Sequence, residues 1–475
     1  MTNYVMDHAT PRTDPVDLEE RVPFWRTLFY SLGNAAGLLT YSTFNTFIQY
    51  FYTTVVGLPP EWVGRGWFAF GFWNAINDPV AGWLSDRTRT RWGRRRFFIG
   101  LLAIPVAIAF ALVWLPPFDR QNPTALLVYF LAIISLYDLL QTIITLNQDA
   151  LFPEMYQSTG DRAAGASIRQ LIGFLAGNGL AVALTPIIYE HLGWGALGVL
   201  WGATAAGLHF LSLLGIKENP AFAPKNPPTL REQFRVVATN RTFLIVLSIN
   251  FMTRFILAVL VAVLPFFATY VLQIEGQQLT QLLLMLFAGA GVSLLIWQRI
   301  IRRVGSRAAM ILSMTSTAIL AIPLIFVSSL TTAAMVLGVL GLAVGGAVLG
   351  PDMLFAEVID EDYVRTGQRR EGMYRGILGF IFRFPPAVAG LILGEGLAFT
   401  GFDADLPANA QPEAVITAIR VFAAALPMIA VVAGIALLFA YPLYGSYLAD
   451  IQQRAAVLRR NANDAFARNS ASALD

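Results

Sequence analysis

The sequence predicts an all-α membrane protein with twelve transmembrane helices in two six-helix repeats. Three observations carry this prediction: a small charged fraction, a series of long apolar stretches, and a motif that recurs six stretches later. The chain of 475 residues is 56% hydrophobic and 13% charged, whereas soluble domains carry roughly 25% charged residues. Most of its surface is therefore expected to face lipid.

Each apolar stretch is long enough to cross a bilayer, since a transmembrane helix needs about 20 mostly apolar residues. The twelve predicted spans lie near residues 27–52, 62–84, 97–117, 124–151, 167–189, 194–216, 240–270, 281–301, 307–328, 331–357, 374–400 and 414–443.

A polar, proline-rich break at residues 217–239 divides the chain into two halves. We expect an N-terminal tail at 1–26, a six-helix bundle at 27–216, a linker at 217–239, a second six-helix bundle at 240–443 and a C-terminal tail at 444–475. The first 23 residues contain no apolar core of the kind that defines a signal peptide. Insertion is therefore expected to begin with the first span.

The distribution of basic residues predicts the orientation. Loops on the cytoplasmic side of a membrane are enriched in Lys and Arg. The loop at 84–97 holds six arginines, and the linker, the 301–307 turn and the 358–374 loop are also basic, whereas the alternate loops are poor in basic residues. We therefore place both termini and the linker in the cytoplasm, as a multi-pass protein of the bacterial inner membrane.

The composition argues against several function classes. The absence of cysteine excludes disulfides and thiol catalysis, and the three histidines at 8, 191 and 209 are scattered. A net charge of +3 gives no reason to expect a nucleic-acid partner. No loop is long enough for a sensor domain. We expect no enzyme activity and no cofactor, and we expect a monomer in the bilayer.

The halves carry a matching segment. Residues 149–154 read DALFPE at the end of span four, and residues 352–357 read DMLFAE at the end of span ten. A Thr-Gly-x-Arg-x-x-Gly segment follows each, at 159–165 and 366–372. Spans four and ten are six apart, which is the relation between the two parallel halves of major facilitator transporters.

Polar residues line one face of several spans, and such groups in lipid are expected to look inward on a shared cavity. Single Asn, Gln and Thr residues can equally tie helices together by hydrogen bonds. Pro385 and Pro386, directly after Arg383, predict a kink in span eleven. The main inward candidates are Asn34, Tyr41, Asn45 and Gln49 in span one; Asn74, Asn77 and Asp78 in span two; Asp138, Gln141, Thr142, Thr145, Gln148 and Asp149 in span four; Asn250, Thr253 and Arg254 in span seven; Asp352 in span ten; and Arg383 in span eleven.

Charged residues at the ends of spans are candidates for gating. Asp86 lies at the end of span two, where a carboxylate is unfavourable beside the helix C-terminus unless it is paired. We assign it, together with Arg94, to a structural latch. Glu154 and Glu357 are predicted to make contacts between the halves that lock one access state.

Several motifs resemble the glycoside–pentoside–hexuronide:cation symporters. They are WNAINDP at 73–79 with RWG at 91–93, YTTVVGL at 52–58, and EVID at 357–360 followed by RREGMY at 369–374. The resemblance implies sugar uptake driven by Na⁺, Li⁺ or H⁺ through alternating access. It places Asp78 on a cation-site aspartate, Arg383 on the basic residue of helix eleven and Arg169 on the arginine of helix five. Asn74, Thr145 and Leu38 replace aspartates of that pattern.

The hypothesis from the sequence is a secondary transporter that carries a sugar or glycoside together with H⁺ or Na⁺. A lysophospholipid or other amphiphile is the alternative substrate on the same fold. Asp78 is read as the sole carboxylate of its helix face; one carboxylate suffices for a proton, and neutral oxygens of Asn74 and Thr145 would help to hold Na⁺. Assigned roles are cation binding for Asp78, Asn74 and Thr145; substrate binding for Asn34, Tyr41, Asn77, Asp149 and Arg169; and electrostatic coupling for Arg383, Asp352 and Arg254.

Overall fold

The computed structural model describes residues 22–88, 90, 92–156, 159–218, 240–274, 276–368 and 370–472. The predicted N-terminal tail up to residue 21 and the linker residues 219–239 lie outside the described residues. Every regular element within the described ranges is helical. The first half contains α1 (Phe24–Tyr50), α2 (Pro60–Arg87), α3 (Arg95–Val113), α4 (Pro123–Met155), α5 (Thr159–Phe174) and α6 (Ala183–Gly215).

The second half contains α7 (Arg241–Phe266), α8 (Gln277–Val304), α9 (Ser306–Ala321), α10 (Leu330–Thr366), α11 (Glu371–Ile381), α12 (Phe384–Phe399) and α13 (Glu413–Ala440), and α14 (Gly445–Ser472) follows it. Three π-helical stretches extend α1, α5 and α7, at Phe51–Val55, Leu175–Val182 and Phe267–Leu272.

Nine helical stretches of the described part are long and apolar enough to cross a membrane. One of them, Ala164–Gly215, has 52 residues and is interrupted at Gly193, whose φ of 81° and ψ of 165° leave the helical region. Glycine adopts a positive φ without steric cost, so the chain can turn at Gly193. The interruption divides this stretch into spans five and six. Helices α1 and α2 are not among the nine stretches, because their polar stripes make them less apolar. With 27 and 28 residues they are nevertheless long enough to be spans one and two. The predicted twelve-helix, two-repeat fold is confirmed.

Span eleven is broken into α11 and α12. Pro385 and Pro386 occupy the first turn of α12, where a missing backbone N–H costs little, whereas inside a helix it removes a hydrogen bond. Phe382 and Arg383 therefore lie between the two helices. The kink that the prolines predict is thus a short interruption of the helix.

The predicted C-terminal tail contains the long helix α14, which packs against α10. Arg459 forms an ion pair with Asp360, and the Tyr447 hydroxyl donates to Glu361 at 3.4 Å. The sequence did not predict this helix, because its mixture of polar and small residues has no long apolar stretch.

The repeat is visible in the surroundings of Glu154 and Glu357. Both are buried near the ends of equivalent helices, α4 and α10. Glu154 accepts from Arg95 Nε at 2.9 Å, at the start of α3, and Glu357 accepts from Ser306 Oγ at 2.5 Å, at the start of α9. We expected both glutamates to join the two halves. The structure instead places each within its own half, because each satisfies its buried charge at the neighbouring helix terminus.

The two halves meet along α2 and α12, α1 and α7, and α6 and α8. We call the side where α6 ends and α7 begins the linker side. Contacts on the opposite side close the molecule there: the Tyr50 hydroxyl lies 2.9 Å from Thr269 Oγ1, and Arg65 donates to Glu395 at 2.5 Å. Asp149 and Asp352, near the linker side, are exposed. The cleft between the halves therefore opens toward the linker side.

Candidate transport site

An ion pair between the halves lies at the break in span eleven. Arg383 Nη2 is 2.9 Å from Asp78 Oδ1 and 2.8 Å from Asp78 Oδ2. The two side chains are 25% and 28% exposed. Charge-assisted hydrogen bonds of this kind are about twice as strong as neutral ones. The structure therefore brings together Asp78, which the sequence assigned to cation binding, and Arg383, which it assigned to electrostatic coupling.

A second carboxylate lies beside this pair, on α4. Asp138 is 6% exposed and accepts a hydrogen bond from Asn77 Nδ2. Its charged neighbours are Arg383 and Asp78. The sequence showed Asp138 in the polar stripe of span four but assigned it no role, because the stripe alone does not indicate how α4 is placed against α2. Asp78 is therefore not the sole carboxylate of this site.

The two asparagines of α2 are buried among the helices. Asn77 is 1% exposed and Asn74 is 6% exposed. A residue this deeply buried does not line an open cleft, so the substrate role predicted for Asn77 does not fit the structure. The oxygens Asn74 Oδ1 and Asn77 Oδ1 accept no hydrogen bond from any described residue, which is uncommon for buried polar atoms.

Thr145 was predicted to help bind the cation, but the structure places it elsewhere on α4. Its hydroxyl accepts from Gln141 Nε2 at 3.1 Å. It lies two helical turns beyond Asp138, roughly 10 Å along the axis, and Asp138 is the α4 residue that contacts Asn77. The predicted ligand set of Asp78, Asn74 and Thr145 is therefore not assembled.

Three residues predicted to bind substrate form a cluster closer to the linker side, which we call the Asn34 cluster (Asn34, Asp149 and Arg169). Arg169 pairs with Asp149 and donates to Asn34 Oδ1 at 3.3 Å. Asn34 Nδ2 donates back to the Arg169 carbonyl at 3.2 Å. A Cβ at Gly173 would lie 2.3 Å from Asn34 Nδ2, so glycine gives this amide its space.

Tyr41, Arg254 and Asp352 face the same cleft from three helices. Tyr41 is 36% exposed, and Arg254 and Asp352 are exposed as well. The Arg254 guanidinium lies 3.7 Å from the centre of the Phe382 ring. Among the described residues, neither Arg254 nor Asp352 takes part in an ion pair within 4.0 Å. Arg254 is thus a cation that stacks on an aromatic ring and makes no ion pair with any described residue.

The predicted gating residues Arg94 and Glu154 also come together, at 3.4 Å. Sequence reasoning missed Glu218, whose carboxylate accepts from the backbone N–H groups of Arg94, Arg95 and Arg96 at 2.5 to 2.9 Å. It caps the N-terminus of α3, where a negative charge is favourable. The side chain of Asp86 lies outside the described part of the structure. Glu218 thus anchors the start of the linker to the first half.

The chain is similar to known transporters over most of its length. A family described as MFS/sugar transport protein matches residues 29–445. A symporter of Synechocystis sp. is 25% identical and covers 93% of this chain and 98% of its own length. The isoprimeverose transporter of Lactiplantibacillus pentosus is 23% identical over 96% and 97% of the two chains. The sodium-dependent lysophosphatidylcholine symporter 1-A of Danio rerio is 23% identical over 88% and 86%.

A solved structure supports the fold. The bacterial homologue of the human lysosomal transporter Spinster, in an inward-facing and unoccupied conformation, superposes with a TM-score of 0.66 at 15% identity and covers 88% of this chain and 96% of its own. The protein is a multi-pass transporter rather than an enzyme. It belongs to the MFS/sugar transport family, as a symporter of the glycoside–pentoside–hexuronide:cation type.

Proposed function

We propose that this protein couples the entry of a sugar or glycoside to a cation gradient, by alternating access across a bacterial inner membrane with the linker side in the cytoplasm. The observation that carries the proposal is the Asp78–Arg383 ion pair, which joins the two halves at the break in span eleven. A cation that binds beside Asp78 competes with Arg383 for its charge. Cation binding therefore changes the contact that holds the halves together, which is the requirement for coupling.

The Asn34 cluster and Tyr41 are the proposed sugar site. They offer an amide, a carboxylate, a guanidinium and a phenol on the cleft wall, which suit the paired donors and acceptors of sugar hydroxyls. The isoprimeverose transporter among the relatives supports a sugar. Asp149 is exposed and Arg169 is half-buried behind it, so that a substrate would reach the pair from the linker side.

Uptake by proteoliposomes under separate Na⁺ and pH gradients tests this proposal, with radiolabelled xylosides, glucosides and glucuronides as substrates. The wild type should accumulate one sugar class against its gradient, and Asp78→Asn should abolish accumulation while exchange without a gradient persists. Asp450→Asn is the matched control, since Asp450 is an exposed carboxylate paired with Arg454 on α14. Gradient-driven accumulation by Asp78→Asn at the wild-type rate would refute the proposal.

The second candidate substrate is a lysophospholipid, and Arg254 is the observation that favours it. A guanidinium that is stacked on an aromatic ring, with no carboxylate of a described residue within 4.0 Å, suits a phosphate group. The lysophosphatidylcholine symporter among the relatives supports the same reading. Competition experiments separate the candidates. Lysophosphatidylcholine should block sugar uptake only if the lipid and the sugar share the cleft. Arg254→Gln should then relieve the block by the lipid, whereas Arg254→Lys should retain part of the block.

A further inference from the structure

We propose that the first half binds one anionic phospholipid, taken from the membrane leaflet on the linker side, in a groove between α3 and α6. The apolar part of this α3–α6 groove is lined by Phe97, Gly100, Leu101, Phe210 and Leu213. The Asp78–Arg383 pair and the Asn34 cluster lie on other helices. The proposed lipid site is therefore separate from the proposed transport site.

The shape of the groove suits an acyl chain. It has a volume of about 710 Å³, and Leu101 and Phe210 are exposed. Gly100 contributes no side chain to the lining, and a Cβ there would lie 3.5 Å from Leu213 Cδ1. A chain held in a groove gains more close contacts than one that lies on a flat helix surface, and dispersion energy grows with the number of contacts.

The end of the groove on the linker side is positively charged. A second cavity, of about 500 Å³, shares Trp92 and Arg96 with the groove and is also lined by Arg26, Lys217 and Glu218. The three basic side chains form no ion pair with any described residue. The Glu218 carboxylate already accepts from backbone N–H groups at the start of α3. The excess of basic groups is thus available to a phosphate, with which charge-assisted hydrogen bonds are strong.

Two tryptophans indicate the depth of these charges in the membrane. Trp25 and Trp92 are exposed, and the Arg26 guanidinium lies 5.3 Å from the centre of the Trp25 ring. Tryptophan is enriched where the bilayer meets water. A basic residue near that surface contributes about 1 kcal/mol to the attraction of anionic lipid. Basic groups at headgroup depth beside an apolar groove select a phospholipid, since a soluble anion would use the charges but not the groove.

The basic groups come from three different parts of the first half. Arg26 is in the first turn of α1, Arg96 is in the first turn of α3, and Lys217 follows the end of α6. Arg96 already ties two of these helices together, because its Nη2 donates to the Leu213 carbonyl at 3.2 Å. A phosphate that contacts all three basic side chains would hold the ends of α1, α3 and α6 together. We therefore expect the bound lipid to stabilise the protein.

Binding of radiolabelled phosphatidylglycerol to the purified full-length protein in detergent tests the site. The wild type should bind it saturably, and phosphatidylcholine should compete at least about tenfold more weakly. Arg26→Gln/Lys217→Gln should weaken binding at least about tenfold, because two of the three charges are lost.

A second variant tests the apolar part of the site alone. Gly100→Leu places a side chain in the groove while all three charges remain, and it should also weaken phosphatidylglycerol binding at least about tenfold. Inorganic phosphate should not displace the lipid from the wild type. Added phosphatidylglycerol should raise the Tm of the wild type but not that of Gly100→Leu, and the Tm without lipid shows whether each variant is folded.

Each variant has a matched control. Gly207→Leu makes the same change on α6, where nothing lies within 4 Å of a Cβ. Arg302→Gln/Arg303→Gln removes two exposed charges from the last turn of α8, at the basic turn of the second half. Both controls should retain the phosphatidylglycerol affinity of the wild type.

Three outcomes overturn the inference. One is equal affinity of the wild type for phosphatidylglycerol and phosphatidylcholine. Another is unchanged phosphatidylglycerol affinity in folded Arg26→Gln/Lys217→Gln. The third is unchanged affinity in folded Gly100→Leu together with displacement by inorganic phosphate, which would indicate a site for soluble anions. Sugar uptake is measured separately, so the proposed transport function does not depend on any of these results.

Discussion

Arg383 binds both carboxylate oxygens of Asp78, across the boundary between the two halves of the protein. The contact exists because Pro385 and Pro386 interrupt span eleven and leave Arg383 between two helices rather than within one. Arg65 and Glu395 also join the halves, but their side chains are 62% and 42% exposed. Exposed pairs contribute roughly 0–1 kcal/mol, so the pair beside Asp138 is the better candidate for coupling.

Replacement of Arg383 should distinguish geometry from charge. We expect Arg383→Gln to reduce gradient-driven uptake about 100-fold, because Asp78 loses its counter-ion. We expect Arg383→Lys to reduce it about 10-fold, because the lysine side chain is shorter and its ammonium does not reach the position of Arg383 Nη2. Uptake by proteoliposomes at equal protein density measures both. Equal rates for the two variants would contradict the geometric part of this prediction.

A double-mutant cycle over the same pair should show coupling in stability. Asp78→Asn and Arg383→Gln should each destabilise the purified protein, and the double variant should recover part of the loss. We expect a coupling free energy of about 1 kcal/mol, since partial exposure screens the pair. Chemical unfolding in detergent measures it, and strictly additive effects would show that the contact contributes nothing to stability.

Asn34→Ala should raise the KM for the transported sugar about tenfold, with little change in the maximal rate. The reason is that Asn34 orients Arg169 and offers its own amide to the cleft. Asn45→Ala is the matched control, because its amide donates to the Tyr41 carbonyl in the same helix at 2.9 Å. An equal rise of KM in both variants would point to a general effect on α1.

Gly64→Leu should open the side opposite the linker. A Cβ at Gly64 would lie 3.0 Å from the Gly390 carbonyl oxygen, so a larger side chain forces α2 and α12 apart. Because the chain has no cysteine, a single introduced Thr269→Cys reports accessibility directly. We expect faster labelling by a membrane-impermeant maleimide in Gly64→Leu.

The control for that experiment is Gly207→Leu, since nothing lies within 4 Å of a Cβ at Gly207. Labelling of the introduced cysteine in this background should match the unmodified background. An unchanged labelling rate in Gly64→Leu would mean that helix contact at Gly64 does not hold this side closed.

Glu154→Gln should destabilise the protein by about 1–3 kcal/mol without altering KM. Its carboxylate is buried and holds Arg94 and Arg95 at the start of α3. Thermal unfolding and uptake kinetics on the same preparation separate the two effects. A changed KM at unchanged stability would restore the role in gating that the sequence suggested for Glu154.

Much of the site could be located from the sequence, because a charge within an apolar span is conspicuous. Asp78 and Arg383 were identified in this way, and the structure pairs them. Asn34, Asp149 and Arg169 were also assigned together and form one cluster. Asn77 and Thr145 were misplaced, since helical periodicity gives the face that a residue occupies but not the neighbour of that face or its depth in the packed bundle.

The sequence by itself determined the number of spans, their grouping in two repeats and the break in span eleven, because apolar length, a recurring motif and paired prolines are local properties of the chain. Only the tertiary structure decided that Asp138 lies against Asn77, that Glu154 and Glu357 stay within their own halves, and that the cleft opens on the linker side. These relations depend on how distant helices pack. Contacts such as Asn77 with Asp138 join residues far apart in the chain, and no local pattern encodes which buried partner satisfies which charge.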